Sequence, residues 1–183
     1  MDEGRLPKIS QGTIDVFWRD LERRFKEGPG PLVAYAQEMR KRVDRNDPNL
    51  GRFIDGTVSY VSPGSPNMAA GTALGLVVMY ELFQRQIEAS NSKEESNSTR
   101  QGIPRVSPEA ISAFIAEHVR SGKGAPLTKF HQNLLATNPV LADFLKERIS
   151  SDSGGQEVKA AYAQGALEVY ELLRRQAEID QLG

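Results

Sequence analysis

An all-α fold is expected for this 183-residue chain, and three observations lead to it. Apolar residues recur at helical spacing, and no stretch alternates with period two between hairpin turns. Proline, glycine, serine and asparagine punctuate the ends of the helical stretches. The chain also reads as though written twice, a tandem duplication of a roughly four-helix unit. The architecture expected is a pseudo-twofold helical bundle with the fourth helix of each copy at its centre.

The duplication opens with Leu6-Pro7-Lys8-Ile9-Ser10, matched by Ile103-Pro104-Arg105-Val106-Ser107. Ile14, Phe17 and Arg23 then meet Ile111, Phe114 and Arg120, and Pro31-Leu32 meets Pro126-Leu127. Asp47-Pro48-Asn49-Leu50 corresponds to Asn138-Pro139-Val140-Leu141. The strongest block sets Gly75–Glu88 against Gly165–Glu178, with seven identities in 14 pairs, among them Gly75/Gly165, Tyr80/Tyr170, Glu81/Glu171, Arg85/Arg175 and Gln86/Gln176. Unrelated segments would share roughly one. The copies run from about Leu6 to Glu88 and from about Ile103 to Glu178. Residues 1–89 are read as the N-terminal repeat, 90–102 as a polar flexible linker and 103–183 as the C-terminal repeat, the two packed as one unit. The linker is rich in Ser and Asn and has no large apolar residue to anchor it.

Within each copy the helices follow in order. The first runs from about Gln11 to Lys26, with Ser10 as N-cap and Ile14, Phe17, Trp18, Leu21 and Phe25 on one face; its counterpart opens at Ser107-Pro108. The second carries Leu32, Tyr35, Ala36, Met39 and Val43, matched by Leu127, Phe130, Leu134 and Leu135. Asp47-Pro48 and Asn138-Pro139 start the third, which points Leu50, Phe53, Ile54 and Val58 inward. The fourth starts after Ser65-Pro66 or near Ser153-Gly154 and continues to about Ile87 and Ile179. It is apolar on two faces, as a helix buried between layers should be. Glycine inside a helix costs ~1 kcal/mol relative to alanine, so Gly75 and Gly165 are read as a structural crossing where another backbone comes close.

Composition limits the chemistry. The chain has 23 Lys and Arg against 24 Asp and Glu, a net charge of −1, 39% hydrophobic residues and no cysteine. That excludes disulfides, thiolate zinc and a cysteine nucleophile, and it lacks the basic excess of a general nucleic-acid binder. The uncharged stretch from Thr57 to Tyr80 is broken by Pro63, Gly64 and Pro66, which leaves Met68–Tyr80 too short to span a bilayer. No signal-peptide pattern opens the chain, so a cytoplasmic protein without membrane contact is expected. The Asn97-Ser98-Thr99 acceptor pattern then carries no meaning.

Each candidate site has a plainer reading beside it. Ser62–Asn67, ahead of the fourth helix, could cradle an anion but reads better as a cap. Glu81 and Arg85, like Glu171 and Arg175, are spaced for an intrahelical ion pair worth roughly 0.3–0.5 kcal/mol if exposed. The functional alternative groups Tyr80, Glu81, Tyr170 and Glu171 about the pseudo-twofold as a polar, ligand-binding pocket. His118 and His131 fall in no metal-ligand pattern. Arg40-Lys41-Arg42 is interleaved with acids, and a helix-turn-helix across Asn46–Asn49 offers few base-reading side chains. Trp18 and Tyr35 are core by spacing.

The expected function is that of a non-enzymatic protein-interaction or regulatory module with an unidentified protein partner. It uses no catalytic residue, cofactor or metal. A small-ligand binder with its pocket between the repeats is the alternative. Below that stand a hydrolase or lyase using the paired carboxylates and a DNA-binding regulator.

Overall fold

The structure, a computed structural model, describes residues 6–61, 64–93, 102–121, 125–151 and 155–182. These form eight helices and, among the described residues, no strand: α1 (Gln11–Glu27), α2 (Pro29–Asn46), α3 (Pro48–Val61), α4 (Pro66–Lys93), α5 (Pro108–Ser121), α6 (Ala125–Thr137), α7 (Pro139–Ser151) and α8 (Gln156–Leu182). The fold is all-α. Among the described residues no helix is long and apolar enough to cross a membrane.

The helix starts follow from side-chain capping. Ser10 Oγ accepts from the N–H of Thr13 at 3.2 Å, Ser65 Oγ from Met68 at 3.3 Å and Ser107 Oγ from Ala110 at 3.1 Å. Asp47 Oδ1 accepts from the N–H of Leu50 at 2.9 Å. Each satisfies a donor that the first helical turn leaves open. Proline stands at the first position of α2, α3, α4, α5 and α7, where its missing N–H costs nothing.

Two boundaries differ from the sequence expectation. α4 continues to Lys93, so Ser90–Lys93 of the expected linker are helical. The hydroxyls of Ser90 and Ser92 turn back onto the carbonyls of Gln86 and Glu88 at 3.0 and 2.7 Å, which lets a polar tail extend a helix that is already anchored. Residues 94–101 lie outside the described residues. α8 begins at Gln156 and ends at Leu182, two residues later and three residues beyond the expected limits. On α6, Phe130 and Leu134 are buried as their spacing implies, but Leu135 faces outward.

α4 and α8 form the largest interface between helices, and each is covered by three others: α1, α2 and α3 on α4, and α5, α6 and α7 on α8. Residues 75–83 and 165–173 are buried without interruption, so both helices are enclosed on every side. The two helices run parallel. Gly71 lies against Val158, Gly75 against Tyr162 and Phe83 against Tyr170, the partners advancing together along both helices.

The glycines set the spacing. A Cβ on Gly75 would overlap the carbonyl oxygen of Tyr162 and fall 2.9 Å from the amide nitrogen of Ala166. A Cβ on Gly165 would overlap the carbonyl of Thr72, and one on Gly71 would sit 2.8 Å from the carbonyl oxygen of Val158. The neighbour in each case is backbone, which cannot rotate away. Larger residues are therefore excluded where the helices touch.

Two edge-to-face aromatic pairs tie the outer helices across the molecule. Phe17 on α1 meets Phe144 on α7 at 6.5 Å, and Phe53 on α3 meets Phe114 on α5 at 5.7 Å. The extended segments ahead of α1 and α5 cross over as well. Ile9 donates its N–H to Asn138 Oδ1 at 3.1 Å, and Asn138 Nδ2 donates to the carbonyl of Pro7 at 3.2 Å. Val106 donates to Asp47 Oδ2 at 2.6 Å, and Asn49 Nδ2 donates to the carbonyl of Val106 at 2.9 Å. Ser10 and Ser107 then hand their N–H groups to Gln86 Oε1 and Gln176 Oε1, both at 2.8 Å.

Candidate functional site

The residues singled out for chemistry lie on the buried stretches of α4 and α8. Glu81 is only 2% exposed and accepts from Arg42 Nη1 at 3.1 and 3.2 Å and from Arg85 Nε at 2.9 Å. Arg85 reaches on to Tyr35 Oη at 2.8 Å and Asp20 Oδ2 at 3.0 Å, with its guanidinium 5.3 Å from the centre of the Phe17 ring. Burial works against the charge on Arg85, but its bonds to Glu81 and Asp20 outweigh that and raise its pKa. Burial pushes the Tyr35 phenol up to about 12, keeping it a neutral acceptor for Arg85.

Glu171 on α8 is fully buried. It accepts from Arg174 Nη2 and Nε at 2.8 and 2.9 Å, from Arg175 Nε at 3.0 Å and from Asn133 Nδ2 at 3.3 Å. Burial opposes its ionisation, yet the two arginines hold its carboxyl below the ordinary glutamate value. Arg175 also reaches Glu117 at 2.5 Å. A buried carboxylate with several charge-assisted bonds is held in place, and removing a partner exposes a large desolvation cost. Both i,i+4 pairs form as the spacing implied, Arg85 with Glu81 and Arg175 with Glu171, but on buried carboxylates, so the value for an exposed pair does not apply.

The two tyrosines point to the ends of the neighbouring helices. Tyr80 has Asn46, at the end of α2, beside its hydroxyl, and burial raises its pKa. Tyr170 stacks on Phe83 with ring centres 6.3 Å apart and makes a short hydrogen bond with Thr137. Thr137 gives its own hydroxyl proton to the carbonyl of Asn133 at 2.7 Å. Tyr170 must then be the donor to Thr137, and its phenol oxygen keeps its lone pairs free.

The four residues read as a pocket are thus each engaged on their own flank, Glu81 by α2 and Glu171 by α6. A cavity of about 500 Å³ opens beside one of them, Tyr170, between the Leu6–Lys8 segment and the facing ends of α6 and α8. Tyr80, Glu81 and Glu171 do not line it.

Other candidates resolve simply. Arg40 is drawn to Asp44 and Asp55 and donates to the carbonyl of Gly51 at 2.8 Å. Asn49 and Asp47, at the start of α3, hold Val106, so the turn between α2 and α3 is engaged by the Ile103–Ser107 segment. Tyr35 is buried; Trp18 is half-buried and donates Nε1–H to Glu22 at 2.7 Å. His131 is exposed, and the side chain of His118 lies outside the described residues. Among the described residues no three acidic or histidine side chains are grouped to hold a metal.

Sequence reasoning passed over Glu168. It is 4% exposed, its Oε1 accepts from Gln164 Nε2 at 2.9 Å and its Oε2 is buried without a hydrogen bond. Burial pushes its carboxyl up to about 7. The available signal was a charged residue inside the Gly165–Leu173 run, where the matched position of the first block is Val78. Compared with protein-family models, curated proteins and solved structures, the chain matches none.

Proposed function

We propose that the chain is a duplicated helical unit, its halves related by an approximate twofold, that acts through protein contacts as a regulatory or adaptor module. Corresponding residues making corresponding bonds support the duplication: Ile9 to Asn138 and Val106 to Asp47, Ser10 to Gln86 and Ser107 to Gln176, Arg85 to Asp20 and Arg175 to Glu117. The observation that carries the functional reading is the closure of both acidic centres. Glu81 and Glu171 are each held by two arginines, which uses up the paired carboxylates a hydrolase or lyase would need free.

What the molecule offers outward includes large apolar side chains on its covering helices. Val16 on α1, Ile115 on α5 and Leu135 on α6 are about half exposed, and Tyr60 on α3 is 85% exposed. Aromatic and aliphatic side chains of this kind serve as anchors when a partner buries them. A cytoplasmic setting without a cofactor goes with this reading.

Photo-crosslinking amino acids placed at Val16, Tyr60, Ile115 and Leu135 in the native cell test it. The expected result is one protein captured from at least two of these positions and lost when a second of them is made glutamate. Absence of any product above that from a buried control position, Leu76, would overturn it.

A further inference from the structure

The cavity beside Tyr170 is built from two parts of the chain distant in sequence. One wall is the leading segment, with Leu6 and Lys8; the other is the end of α6 with the last turns of α8, including Tyr170, Arg174 and Ala177. Its volume of about 500 Å³ falls within the roughly 300–1,000 Å³ of small-molecule sites. Leu6 and Ala136 supply accessible apolar wall, and Tyr170 and Ala177 border it while being only 2% and 3% exposed, so the body of a bound molecule would be largely apolar.

The polar groups on the rim are unequal. Arg174 is already committed, its Nε and Nη2 to Glu171 and its Nη1 to Glu178. Lys8 is exposed, and among the described residues its ammonium has no hydrogen-bond or ion-pair partner. The open positive charge at this cavity is therefore that of Lys8. Tyr170 gives its proton to Thr137, so its oxygen can only accept from a ligand. Burial raises the Tyr170 pKa and keeps that phenol neutral.

We infer that the cavity between the Leu6–Lys8 segment and α6 and α8 binds a small organic carboxylate bearing a hydrogen-bond donor at its other end. Lys8 receives the carboxylate, the Tyr170 oxygen receives the donor, and Leu6 and the two alanines enclose the body. Arg174 is spent on Glu171 and Glu178 and adds no open positive charge, and the Glu178 carboxylate, itself on the wall, is held by Arg174, which leaves Lys8 to receive the ligand's carboxylate. Because Ile9 is tied to Asn138 next to this cavity, an occupied site would also clamp the leading segment against the second half. The inference uses one of the four residues first read as a pocket and no twofold relation. Its failure leaves the protein-contact reading standing.

Amide NMR spectra of the full chain, titrated with para-hydroxyphenylacetate, test the site. The expected result is saturable shifts centred on Lys8, Thr137 and Ala177. The neutral para-hydroxyphenylacetamide and the donor-less phenylacetate should both bind more weakly. Lys8→Met should weaken the acid about tenfold, the effect of one charge-assisted bond, while leaving the amide unchanged. Lys8 is exposed, so this variant keeps the fold. Equal binding of acid and amide, shifts centred elsewhere, or no saturation below about 10 mM would overturn the assignment.

Discussion

Val106 donates its backbone N–H to the carboxylate of Asp47 at 2.6 Å, although 59 residues separate them. The other oxygen of the same carboxylate caps α3 through Leu50. One side chain thus starts a helix and holds the segment leading into the second half. Asp47→Ala leaves the buried N–H of Val106 without a partner, at ~1–3 kcal/mol, and removes a cap worth ~0.5–2 kcal/mol. Denaturant unfolding should show a loss of about 3 kcal/mol. Asp47→Asn, which keeps one acceptor oxygen, should lose about half as much.

Glycines inside the helices give a contrast within one protein. Gly56→Ala on α3 meets open space, so better helix propensity should raise stability by up to ~1 kcal/mol. Gly75→Ala gains the same propensity but drives a methyl into the carbonyl of Tyr162. Overpacking of ~1–3 kcal/mol should exceed that gain. Gly75→Leu and Gly165→Leu should each cost more still, and the double variant should fail to fold compactly. Thermal melts of the series read the order directly. A Gly75→Ala variant melting at or above the parent would show that the crossing is not tight.

Glu168 makes stability depend on pH in a stated direction. Its folded pKa of about 7 lies above the ordinary value of 4.5, so the unfolded chain binds fewer protons between those limits. Stability therefore falls as pH rises through that window, and the penalty is complete above pH ~7. Its ceiling is about 3 kcal/mol. Glu168→Gln should be more stable than the parent at pH ~8, with the difference closing by pH ~5. Unfolding midpoints at the two pH values check this; a constant difference would show that Glu168 is not the group responsible.

The all-α class was legible because spacing and punctuation are local. Ser10, Asp47-Pro48 and Ser107-Pro108 announce helix starts within a few residues of where the caps form. Gly75 and Gly165 stand out in the sequence as glycines inside helices, and in the structure each lies against backbone of the other central helix. The surroundings of the acidic residues were not legible. The i,i+4 spacing of Glu81 and Arg85 is visible, but Arg42 arrives from another helix, and its arrival depends on how α2 packs on α4. The crossing of Ile9 to Asn138 spans 129 residues, and no local pattern records it. Ser90–Lys93 looked like linker because composition reports the absence of apolar anchors, whereas the anchoring lies one turn earlier at Gln86, bonded to Ser10 and Thr13.

The account rests on α4, α8 and the two crossing segments holding the halves as one body, whatever joins them in sequence. A protease site engineered within residues 94–101 allows the chain to be cut once between Lys93 and Gly102. The cut protein should elute in size-exclusion chromatography with light scattering as a single particle of the same mass as the uncut parent, whose chain is 20.2 kDa, with its helical signal unchanged. Separation into two folded fragments of about half that mass, each soluble without the other, would contradict the account.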